Sequence, residues 1–129
     1  MYIYPIILFF LFTIKGTPHT QFDNPDIIPD LNELTYSIAD QHDHFYSLKG
    51  IRTLTIVHLA AHDIVQSHVD TYHPYLVDTT IPDLNVEVAI SAMAKKILVD
   101  AYPLRQDTID RVIGNWRRSD LNEKESLRF

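Results

Sequence analysis

The stretch from Leu48 to Asp70, LKGIRTLTIVHLAAHDIVQSHVD, carries Leu54, Val57, Ala61, Ile64, Val65 and His68 along one helical stripe and contains no proline. An apolar recurrence of that length at the helical period outruns an ordinary strand, so the rest of the chain must supply further helices to cover it. Gly50, near the start, costs a helix ~1 kcal/mol relative to Ala and leaves room for close approach by a neighbouring helix.

The remaining pattern agrees. Asp30 offers an N-cap with Glu33 three residues on, and Leu31, Leu34 and Ile38 follow at helical spacing, so a short first helix is predicted from Asp30 to about Asp40. Pro74 and Pro82 refuse a helix interior, and TYHPYLVDTTIPD reads as a loop. A third helix, capped by Asn85 or Asp83, buries Val86, Ala89, Ile90, Met93, Ile97, Leu98 and Ala101 and is stopped by Pro103. Asp107 opens a fourth, whose apolar face is Ile109, Val112, Ile113 and Trp116. Gly114 weakens its last turn. No strand pattern competes and no internal repeat is visible. The fold class expected is all-α, a bundle of about four helices over residues 30–118, with a charged tail or truncation point at 119–129.

Upstream, YIYPIILFFLFTI is an apolar run that falls short of the ~20 residues a spanning helix needs and is followed at once by Lys15 and Gly16. It reads as a signal peptide over residues 1–16, which predicts a secreted chain with no membrane attachment after cleavage. Its n-region holds no Lys or Arg, so an uncleaved anchor is the alternative. Residues 17–29, with three prolines, read as an extended entry segment. There is no cysteine, so packing alone must hold the fold, and no Asn-x-Ser/Thr sequon occurs. A formal charge of −6 works against nucleic acid as a partner, because phosphate binding needs a basic face.

Candidate chemistry concentrates at HLAAHD, where His58 and His62 share a helix face at a spacing able to chelate zinc, copper or nickel if a third ligand converges. Asp63 is rotated about 100° from His62, and His42, His44 and His73 would have to arrive from loops. There is no HExxH. The competing expectation is that His58 and Asp63 are hydrogen-bonded between helices in a scaffold seam. DQHDH, Asp40 to His44, reads as a solvated loop, and the rings of YHPYL, Tyr72 to Leu76, are expected to seal the bundle end. GxSxG and glycine-rich phosphate motifs are absent. Apolar stripes at Val112 and Trp116 would, if left uncovered, favour self-association or docking.

In order along the chain come Arg52, then His58, Ala60 and Asp63, then Tyr72, Pro74 and Tyr75, then Ala89, Ala92, Ala94 and Tyr102-Pro103. This resembles the N-terminal helical region of the vanadium-dependent haloperoxidases, shared with acid phosphatases of the type-2 phosphatidic acid phosphatase superfamily. The family's pattern is an arginine-led helix with His-x-Ala-x-x-Asp-Ala, a Tyr-x-Pro-Tyr loop, and an alanine-rich helix ending in Tyr-Pro or Phe-Pro. Ile64 stands here in place of the usual alanine. The resemblance covers about Leu31 to Trp116. It implies an N-terminal scaffold, incomplete relative to the full haloperoxidase-like fold, that docks on a catalytic helical bundle.

The family's chemistry lies in a later half, where Lys, Arg-Pro, Pro-Ser-Gly-His and a spaced His hold vanadate or phosphate. None of those motifs occurs in this chain. No activity is therefore expected from it alone, no catalytic, cofactor-binding or metal residue is assigned, and vanadate is implied only for a full-length relative. The alternative is a small secreted helical protein that binds a metal, through His58, His62 and a loop histidine, or an apolar ligand.

Overall fold

The computed structural model describes residues 24–126, with side chains over 24–116. It is an all-helical bundle: α1 Ile27–Asp43, α2 Lys49–Val69, α3 Val86–Ala101, a 3₁₀ turn at Pro103–Arg105, and α4 Gln106–Ser126. The leader read at 1–16 and most of the entry segment lie outside the described residues. Successive helices run in opposite directions, and α1 and α3 each touch all three others, so α2 and α4 flank that central pair. The core forms around it from Leu31, Ile38, Val57, Ile90, Leu98 and Ile109, each at most 2% exposed.

α2 spans the predicted range almost to the residue. α1 does not: it starts at Ile27, so Ile27, Ile28 and Pro29 of the predicted entry segment belong to the helix. Pro29 is accommodated because it falls in the first turn, where its missing N–H would have had no intrahelical acceptor. Ile27 is buried and forms part of the core. At the other end, α1 continues through Gln41 and His42 to Asp43, absorbing most of DQHDH.

The turn from α1 to α2 places His44 and Phe45 in the left-handed region at φ 50° and 59°. Asp43 holds it, accepting the Phe45 N–H at 3.1 Å and the Ser47 hydroxyl. Phe45 then lies against Gly50, where an added Cβ would stand 2.6 Å from the ring and 3.1 Å from the Ala39 side chain of α1. The close approach expected at Gly50 is therefore real. At the same end of the bundle Tyr102 is buried beneath Lys49, whose Nζ lies 4.6 Å from the ring centroid, and Arg105 donates to the Gln41 carbonyl at 3.3 Å.

Asn85, one of the two caps weighed, accepts the Val88 N–H at 2.9 Å and starts α3. Pro103 diverts the chain as expected, after which α4 buries Ile109, Ile113 and Trp116. The backbone of α4 continues as helix to Ser126, into the region read as a charged tail. Trp116 is buried, while Val112 is half-buried and lines with it a solvent-open groove of about 310 Å³ against Asp30, Glu33, Leu34 and Ser37 of α1.

Candidate functional site

The segment between α2 and α3, residues 70–85, contains no helix or strand, yet it is tied to α2 at three levels. Asp70 ends the helix in the left-handed region, at φ 48°. Gln66 Oε1 accepts the Thr71 and Tyr72 N–H groups at 3.3 and 2.7 Å. One turn back, Asp63 accepts the Tyr75 N–H at 2.7 Å on one oxygen, and those of Leu76 and Val77 at 2.7 and 3.2 Å on the other. The Ser67 carbonyl then accepts the Ile81 N–H at 2.6 Å. Asp63, Gln66 and Ser67 lie on neighbouring turns of one helix, so the loop is laid back along the last two turns of α2.

The Asp63 side chain is 7% exposed. Burial by itself pushes its carboxyl up, but the N–H groups of Tyr75 and Leu76, the His62 ring and the N–H of Val77 outweigh it and hold the group below its ordinary value of 3.8. His62 Nδ1 stands 3.4 Å from the carboxylate, and its ring meets Tyr75 edge-on at 5.0 Å.

This corrects the seam expected at HLAAHD in part: His58 does hydrogen-bond to a neighbouring helix, but from an exposed position, and Asp63 bonds to the loop instead. His58 and Asp63 are not partners. His58 is exposed and its Nε2 lies 3.1 Å from Asn32 Oδ1 on α1, while Asp63 is buried and spent on the loop. The two histidines of the suggested chelate have separate partners. Of the loop histidines, His42 packs on Tyr102, His44 stands 3.4 Å from Asp40, and His73 is exposed. Among the described residues no group of three or more His, Asp or Glu side chains is placed to hold a metal ion. Tyr72 and Tyr75, 71% and 65% exposed, do not seal the bundle end.

What the loop does instead is wall a cavity. Leu76, Val77 and Ile81 on one side, Ile64 of α2 below, and Ala89 and Met93 of α3 opposite enclose a groove of about 350 Å³ open to solvent. Gln66, which no motif in the sequence marks, holds the start of the loop at Thr71 and Tyr72, and Asp63 holds the part that forms the wall. The available signal was a pair of hydrogen-bonding side chains three residues apart at a helix end, ahead of a loop too apolar to stand free.

No helix among the described residues is long and apolar enough to cross a membrane. Comparison of the chain with protein-family models, with curated proteins and with solved structures gives no match.

Proposed function

We propose that this chain is the non-catalytic N-terminal scaffold part of a secreted haloperoxidase-like or acid-phosphatase-like protein, with the vanadate or phosphate site lying outside it. The observation that supports this reading is that the separated pieces of the family-like pattern serve one structure. Asp63, from the His-x-Ala-x-x-Asp stretch, receives the N–H of Tyr75, the last residue of Tyr-x-Pro-Tyr. Ala89, from the alanine-rich helix, lines the groove that the held loop creates.

The residues present do not fit an oxyanion. The loop N–H groups that could have received one already face a carboxylate, and the charged neighbours, Asp70, Asp78 and Asp83, are acids. The role supported is positional: α2 and α3 hold a loop and a groove in fixed relation. Sequencing the native transcript beyond the Phe129 codon tests the reading. A frame that continues into Arg-Pro, Ser-Gly-His and a later spaced His is the expected result; a stop codon directly after Phe129 in the mature message would overturn it.

A further inference from the structure

The groove between the loop and α3 has two polar residues in its wall, and both are engaged. Asp63 is saturated by the loop, and the Ser67 hydroxyl donates to the carbonyls of Asp63 and Ile64. The rest of the lining is aliphatic or Met, and Leu76, Val77 and Ile81 stand at its lip 76%, 55% and 43% exposed. Contiguous uncovered apolar surface beside a concavity marks a place where something docks.

Charge says what docks. No Lys or Arg occurs between Arg52 and Lys95, and every residue lining the groove, from Ala60 to Met93, falls inside that span. The exposed acids Asp78 and Asp83 directly adjoin the lining residues Val77 and Leu84, with Asp70 and Glu87 at the same end of the bundle. Among the described residues the lysines make their ion pairs elsewhere, Lys95 with Asp110 and Lys96 with Asp100. Among the described residues no Lys or Arg pairs with Asp78 or Asp83, and the groove is an apolar slot with an acidic lip.

We propose that it receives a cationic amphipathic helix of a partner protein. The apolar stripe of that helix enters between Leu76, Val77, Ile81 and Met93, and its Lys or Arg side chains lie over Asp78 and Asp83. A helix presents both features at once, an apolar row at i, i+3, i+4 and i+7 and a charged flank on either side. A second copy of this chain fits poorly, because a two-fold contact would set the same acids against each other. An anionic lipid surface is repelled for the same reason. The inference stands on the groove and its charge, and does not depend on the haloperoxidase-like reading.

The test is fluorescence anisotropy of a labelled synthetic peptide of Leu and Lys, with leucines at helical spacing, titrated with the whole chain. Two control peptides accompany it, the same pattern with Glu for Lys and a scrambled Leu/Lys sequence. The patterned cationic peptide should bind about tenfold or more tighter than either control. Ile81→Ser, at an exposed position that leaves the core intact and the charge unchanged, and the double variant Asp78→Lys with Asp83→Lys should each weaken it by a similar factor. Equal affinity for the scrambled peptide overturns the proposal. So does an unchanged affinity in Ile81→Ser, or an equal loss in Asp107→Lys, which alters charge at the opposite end of the bundle. Sedimentation showing that the chain buries this face in its own dimer would overturn it as well.

Discussion

A carboxylate that receives three backbone N–H groups exchanges its hydration shell for fixed dipoles, and Asp63 does so at 2.7, 2.7 and 3.2 Å. Asn at this position keeps the shape but turns one acceptor into a donor, leaving at least one loop N–H facing another N–H. Asp63→Asn should therefore speed amide exchange at Tyr75, Leu76 and Val77 on the order of tenfold or more, read by NMR, while α3 amides change little. His58→Ala, which removes an exposed ring, should shift stability by less than about 0.5 kcal/mol. If His58→Ala proves the more damaging of the two, the geometry described for this helix is wrong. The pH dependence has a definite sign. Because the folded carboxyl titrates below 3.8, the clamp contributes its full stability above that value and loses it as pH falls through the lower folded value. Loop amide shifts in the native protein should hold steady down to the ordinary carboxylate range and move only beneath it.

Much of the element structure was legible in the sequence, and the misses have physical causes. α2 could be read because its stripe is long and uninterrupted, and α3 because Asn85 and Pro103 bracket it. The start of α1 was misplaced because proline is a helix breaker everywhere except in the first turn, and periodicity alone does not say which turn Pro29 occupies. The site was harder to see. The histidine spacing of HLAAHD drew attention to the exposed side of the helix, whereas the consequential acceptors, Asp63 and Gln66, bond to backbone N–H groups that no side-chain pattern reports. Gly50 shows a helix contact that composition does suggest. Gly50→Ala gains up to ~1 kcal/mol of helix propensity but drives a methyl into the Phe45 ring and against Ala39, an overpacking that costs about 1–3 kcal/mol. A net fall in thermal midpoint is expected; a rise would mean that Phe45 swings clear.

At the scale of the whole molecule, stability rests on the α1–α3 centre, since those two helices touch everything else. Ile90 and Leu98 on α3 are fully buried. Ile90→Ala should cost about 2–5 kcal/mol, a large part of the roughly 5–15 kcal/mol available to a natural domain. A urea melt should show a lowered midpoint with an unchanged slope. If the slope changes as well, the helices do not unfold as one unit.

The loop lies apart from that centre and is held by other means. Asp63 and Gln66 grip main-chain N–H groups, which every residue except proline supplies in the same form. Of the residues held this way, only Tyr75 also ties the loop to α2 through its ring, against His62, and the side chains at positions 72, 76 and 77 take no part in these main-chain bonds. Substitution there can rewrite what the surface recognises while the frame beneath it stays constant, and proline is the one residue these positions should refuse.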